Sequence, residues 1–302
     1  MLRGNILSDL LLLLAALIWG TAFVAQRAGM EVMGPLLFNG VRFGLGALVV
    51  LPLVLRRRSR SIPPGGRRGL LAAGVALGSV LFAGATLQQI GLVETTAGKA
   101  GFITGLYVVI VPLLGMVFGR RPRAGAAVGA ALAAWGLYLL SVTGSWQIEP
   151  GDGVVLVAAF FWAGHVLLVG RFAGRYPGIP LAMIQFLVCS TFSLVGALLF
   201  EQPRWGHLAE GWVSLVWAGA FSVGVAYTLQ VVAQRKARPS HAAVILSLEA
   251  VFAALAGWVF LDERLGTRGW IGCSLMLGGM FAAQYTAFSG MVAQSWRRRR
   301  SR

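Results

Sequence analysis

Acidic charge is scarce in this chain: its 302 residues hold ten Asp and Glu against 26 Lys and Arg, and the four types together make up only 12%. Soluble domains carry about 25% charged residues, so the composition excludes an ordinary water-facing surface. Cysteine is nearly absent as well. Cys189 and Cys273 both fall in apolar stretches, which suggests neither a disulfide framework nor a metal-ligand spacing. The three histidines, His165, His207 and His241, lie on separate segments. No HExxH, GxSxG, P-loop or paired-carboxylate pattern occurs. No enzyme activity, cofactor or metal is therefore expected.

What the chain has in excess is hydrocarbon. AVILMFWYC residues make up 57% of it, and its mean hydropathy is +0.76. Apolar runs near 7–26, 35–55, 69–90, 99–118, 124–143, 152–172, 179–200, 211–233, 240–260 and 269–288 approach the ~20 residues that a membrane-spanning helix needs. Barrel strands would appear as shorter, alternating segments. The expected fold is all-α integral membrane, with ten transmembrane helices and the bilayer as its surroundings. The N-terminal stretch imitates a signal peptide, with Arg3, an apolar run and then small residues. Trp19-Gly20 nevertheless recurs in kind at Trp162-Ala163, which makes the first segment a retained part of the bundle.

The net charge of +16 is distributed by loop and forms no nucleic-acid face. Arg56 to Arg60, Arg67 and Arg68, Arg120 to Arg123, Arg171 and Arg175, Arg235 to Arg238 and the Arg297–Arg302 tail alternate with basic-poor connections. The positive-inside rule then predicts both termini in the cytoplasm and a multi-pass protein of the bacterial inner membrane.

The sequence also overlays itself. At an offset of 142, ATLQQ (85–89) lies over YTLQV (227–231), Gly115 over Gly257, and Arg120-Arg121 over Asp262-Glu263; at 143, AALIWG (15–20) lies over AAFFWA (158–163). Each unit holds five predicted helices, and an odd number inverts the second copy. The expected domains are residues 1–146, the first five-helix repeat, and 147–302, the second with its basic cytoplasmic tail. Inverted repeats around a midplane cavity are a secondary-transporter architecture.

Together with WGTAF (19–23), and with SLEAVFAALAGW running into FLDERLG (247–266), this organisation resembles the drug/metabolite transporter superfamily, EamA-like branch. The resemblance implies a ten-helix carrier, often an exporter of amino acids or related metabolites. One departure stands out: Ala250 follows Glu249 where that family often has Pro, which leaves open whether the helix breaks there.

Ionisable groups inside a span are costly and usually functional. Arg42, His165 and Glu249 are such groups. Under the repeat Trp19 matches Trp162, Arg42 matches Gln185, Gln88 matches Gln230, and Tyr107 matches Glu249, as a shared cavity requires. The candidate substrate-binding set has Trp19, Trp162 and Tyr227 as apolar wall and Gln88, Tyr107, Gln230 and Glu249 orienting the solute, with Arg42 and His165 as further members. For Arg42 the alternatives are a lock on helix-end carbonyls or Glu249, or contact with a solute carboxylate. For Glu249 they are a structural lock, solute contact or proton coupling. Lys99 and His241, aligned with each other, read as anchors or gates. Forty-one glycines, about twice the usual 7%, predict close helix approach at GVRFG (40–44), GVALG (74–78), GFITG (101–105), GMVFG (115–119) and GAAVG (125–129).

The expected function is a secondary transporter exporting amino acids or related small metabolites by alternating access, with a small-molecule solute as partner and no nucleic acid. Proton coupling and a homodimer stay open. A membrane-embedded enzyme or a scaffold is the alternative reading.

Overall fold

The computed structural model describes residues 2–56, 66–95, 97–117, 119, 124–141, 150–261 and 266–282. Among the described residues there is no strand. Helices α1 (Leu2–Met30), α2 (Pro35–Arg56), α3 (Gly66–Glu94), α4 (Ala97–Gly105), α5 (Tyr107–Val117), α6 (Ala124–Ser141), α7 (Pro150–Phe172) and α8 (Gly178–Phe200) are followed by α9 (His207–Glu210) and α10 (Trp212–Val216). A π-helical segment, Trp217–Tyr227, leads into α11 (Thr228–Ala233), α12 (Pro239–Leu246) and α13 (Glu249–Leu261). The last described helix, α14, covers residues 267–282.

Eight helical runs among the described residues are long and apolar enough to cross a bilayer, and α6 is a shorter apolar helix. Together they make this a multi-pass membrane protein. The expected span at 269–288 is described only to residue 282, and Arg120, Arg121, Asp262, Glu263 and the basic tail lie outside the described residues.

Proline opens several of these helices. Pro35, Pro150 and Pro239 occupy the first helical position, where the missing N–H is an orphan in any case and the fixed φ suits the helix. The start of α2 is also capped from a distance. The Glu201 carboxylate, just beyond α8, accepts the Leu36 N–H at 2.7 Å and the Leu37 N–H at 2.8 Å, an anion placed on a helix N-terminus.

Small residues govern the packing. α2 lies along α8, α3 along both α7 and α8, and α1 against the π segment, α12 and α13. Gly40 and Gly44 seat α2 on Leu194 and Ser190 of α8, while Gly74 and Gly78 seat α3 on Ile184 and Val188. At Gly20 a Cβ would lie 2.6 Å from the Glu249 carbonyl, so α1 crosses backbone to backbone at the start of α13. GMVFG behaves differently: Gly119 has φ +72° with open space around it, a left-handed residue that turns the chain beyond α5.

The most consequential feature is a pair of helix interruptions. α4 and α5 part at Leu106, where the amide bonds back to the Ile103 carbonyl at 3.2 Å. α12 and α13 part at Ser247-Leu248, where Leu248 N–H reaches Ile245 O at 3.2 Å and Ala250 N–H reaches Ser247 O at 3.2 Å. These tightened i→i−3 bonds are 3₁₀ turns, and the Ser247 hydroxyl donates to Val244 O at 2.9 Å, competing for a helical carbonyl. The break thus occurs although residue 250 is Ala. Tyr107 and Glu249 are the first residues after their respective breaks.

His241 Nε2 meets Asp9 Oδ1 at 2.8 Å, tying α12 to α1 in the anchoring role rather than at the cavity. Nothing is described of the Lys99 side chain. Cys189 and Cys273 are buried free thiols.

Candidate functional site

Ten of the described elements converge on one central cavity. α1 supplies Trp19, Phe23 and Gln26, α2 supplies Arg42, and α3 supplies Gln88. From the broken helices come Thr104, Tyr107, Leu246 and Glu249; α7 adds Trp162, His165 and Val166; the π segment and α11 add Ser222, Tyr227 and Gln230. All nine candidate residues named from the sequence therefore face the same space. The gap is narrow, with about 40 Å³ for water-sized occupants, room for only a few waters.

The apolar side is aromatic. Trp19 and Tyr227 have ring centroids 4.6 Å apart, and Trp162 stacks on Tyr227 at 6.2 Å and 26°. Both indole N–H groups are satisfied, but differently. Trp162 Nε1 donates to Gln88 Oε1 at 2.8 Å, whereas Trp19 Nε1 donates to the Ser222 carbonyl within the π segment at 3.1 Å. The repeat-related glutamine, Gln230, is consequently left with Oε1 buried and unpartnered.

Two more buried polar atoms lack a hydrogen-bond partner, Tyr107 Oη and Glu249 Oε1. Their side chains interact with each other. Unpaired buried polar groups cost about 1–3 kcal/mol each. Three of them around one cavity mark a place that an incoming polar group would satisfy.

Arg42 occupies the opposite pole. Its Nε donates to Asn39 Oδ1 at 2.8 Å and its Nη1 to Gln26 Oε1 at 2.7 Å, while the guanidinium lies over the rings of Phe38 and Phe43 at 5.4 and 5.0 Å. No ion pair joins Arg42 to Glu249 or to any other described carboxylate. Among the described residues Arg42 bonds to neither Glu249 nor a helix-end carbonyl; Asn39 and Gln26 hold it. His165 both lines the cavity and bonds through Nε2 to Gln185 Oε1 at 2.8 Å, so its two readings coexist. Gln185 itself is not among the lining residues, and Gln89 bonds to Met30 Sδ.

Sequence reasoning missed Gln26, Phe23, Thr104 and Ser222. Gln26 sat at the drawn end of the first span, yet Trp19, Phe23 and Gln26 follow i, i+4, i+7 spacing and share a helix face. The repeat held the other signal: Phe23 overlays Val166 and Thr104 overlays Leu246, and both pairs line the cavity. Among the described residues no three His, Cys, Asp or Glu side chains converge as metal ligands.

Replacing Trp19 with Ala removes its contact with Tyr227 and opens the wall. Affinity for the bulkiest transported solutes is expected to fall by about 1.5 kcal/mol or more, reordering selectivity in competition flux assays while membrane abundance stays close to wild type. A collapse in abundance would instead make Trp19 a packing residue.

Comparison with known proteins places these features in context. Residues 6–142 and 149–284 each match the EamA-like transporter family. An uncharacterized transporter of Archaeoglobus fulgidus is 32% identical over 279 residues, covering 89% of this chain and 83% of the relative. The uncharacterized inner membrane transporter YedA of Escherichia coli is 27% identical, covering 86% and 85%. A crystal structure at 22% identity superposes with a TM-score of 0.76 over 93% of this chain and 98% of its own, a likeness of fold.

Proposed function

Since the chain belongs to the EamA-like transporter family, we propose that it is a secondary transporter that exports amino acids or closely related small metabolites across the bacterial inner membrane. The carrying observation is that Arg42 and Glu249 line one cavity without pairing with each other. A buried charge needs a partner, and a zwitterion supplies both: its carboxylate goes to Arg42, and its ammonium to Glu249, Gln230 Oε1 and Tyr107 Oη. The aromatic wall of Trp19, Trp162 and Tyr227 covers the apolar remainder. His165 and Gln88 border the same space.

The mechanism is alternating access between two inverted five-helix repeats, residues 1–146 and 147–302, ten spans in all. Several observations support this reading. The family matches twice along the chain. The helix breaks at Leu106 and Leu248 lie 142 residues apart, the offset at which the sequence overlays itself. The packing follows the same exchange: α1 lies on the π segment and α11 as α7 lies on α3, and α1 lies on α12 and α13 as α7 lies on α4 and α5. Discontinuous helices at a repeat interface are where such carriers hold solute. The narrow gap fits a state between openings, and the loop arginines favour cytoplasmic termini.

The test is flux of a labelled amino-acid and amine panel in proteoliposomes, with and without an imposed pH gradient. Saturable flux of zwitterions, exceeding that of amines or acids lacking one charge, is the expected result; acceleration by the gradient adds proton coupling. Purified, folded protein that moves no member of the panel overturns the proposal and returns weight to an enzyme or scaffold.

A further inference from the structure

The polar network beside Arg42 has a direction that its chemistry dictates. Arg42 has only donors, and so does the indole of Trp162. Gln26 must therefore turn its oxygen to Arg42 Nη1, at 2.7 Å, and Gln88 must turn its oxygen to Trp162 Nε1, at 2.8 Å. Between them Gln88 Nε2 donates to Gln26 Oε1 at 3.4 Å. Gln26 Nε2 is taken up within its own helix by Ala22 O at 3.3 Å. Together with Asn39 of α2 itself, one amide on α1 thus carries the guanidinium and links it through α3 to α7.

This arrangement belongs to one half only. The repeat counterpart of Gln26 is Val169, which is fully buried, and the counterpart of Arg42 is Gln185. Gln26 also has a feature that packing does not demand: it is neutral. Glutamate has nearly the same shape and would bind the guanidinium more strongly, as a charge-assisted pair. A carboxylate there would also neutralise Arg42 inside the protein and leave nothing for a solute anion to answer.

We propose that Gln26 is a specificity-determining positioning residue: it holds Arg42 in place with a neutral acceptor, so that the guanidinium charge stays available for the carboxylate of the solute. The inference rests on the zwitterion reading of the cavity and says which residue makes that cavity discriminate a free carboxylate from a masked one. Gln26 acts through Arg42.

The experiment measures binding of the common L-amino acids and their methyl esters to the purified full-length protein in nanodiscs, by direct titration. The esters keep the ammonium and lose the carboxylate charge. Wild type is expected to prefer acid to ester. Gln26→Glu is expected to weaken the acids at least about tenfold, the scale of a disrupted charge pair, while the esters bind as well as before or better because Arg42 no longer repels them. Gln26→Asn stays neutral but withdraws the acceptor by one methylene; it should weaken the acids with the esters unchanged, and it carries the test if the glutamate variant fails to fold. Equal losses for acid and ester in the folded variants overturn the inference and leave the zwitterion site standing, whereas wild-type binding with no preference between the two overturns the assignment of the carboxylate to Arg42 and this inference with it. Wild-type protein that binds neither series overturns the site reading and this inference with it.

Discussion

Protein carrying Glu249→Gln is expected to reach the membrane in wild-type amounts and to lose most of its zwitterion transport, by roughly 30-fold or more. Truncating one partner of a buried charged contact costs about 2–5 kcal/mol, and each 1.4 kcal/mol is about tenfold. Folding should survive for a specific reason. Glu249 makes no ion pair among the described residues, and the isosteric amide keeps an oxygen that can still meet Tyr107. The proteoliposome assay that checks this should be repeated under an imposed pH gradient. If Glu249 carries the coupled proton, the variant also loses any acceleration by the gradient. Wild-type flux across the pH series would remove Glu249 from the site altogether.

Arg42→Met should have an effect of similar size with a different signature. The methionine fills part of the volume over Phe38 and Phe43, but Asn39 Oδ1 loses its donor and Gln26 Oε1 keeps only the long bond from Gln88 Nε2. Each orphaned buried acceptor costs about 1–3 kcal/mol, so thermal stability should fall together with zwitterion affinity. Arg42→Lys separates the two roles. It keeps the charge but not the planar fork that reaches both acceptors and stacks on rings, so some carboxylate recognition should return. Zwitterion affinity unchanged in Arg42→Met, measured on the folded fraction, would make Arg42 purely a lock between α1 and α2.

The two substitutions probe the two poles of one cavity, and both poles were readable in the sequence. Glu249 stood out because hydrocarbon surrounds it in the sequence, and Arg42 for the same reason. Their arrangement was not legible. Whether they paired depended on the placement of α2 and α13, where Gly40 and Gly44 bring α2 close to α8 and Gly20 brings α1 close to α13. Gln26 shows the limit most clearly. An amide near a span end has no unusual transfer cost, so nothing in a hydropathy profile marks it. Only the meeting of α1, α2 and α3 turns it into the carrier of a guanidinium.

The helix breaks show the same division. Pro after Glu249 would have announced an interruption, and Ala250 removed that signal; the interruption comes from Ser247 and two i→i−3 bonds instead. The π segment is likewise silent in a list of residues; within it Gly219 and Gly224 pack against Leu45 and Val49 of α2.

By itself the sequence determined that this protein is helical and lives in a bilayer, because transfer free energy sums over residues regardless of their neighbours. It also determined which polar side chains the membrane has to tolerate, and that the chain repeats. The tertiary structure decided which of those groups meet, which are satisfied and which are left open, because hydrogen bonds and ion pairs act over about three ångströms and depend on how separate helices pack.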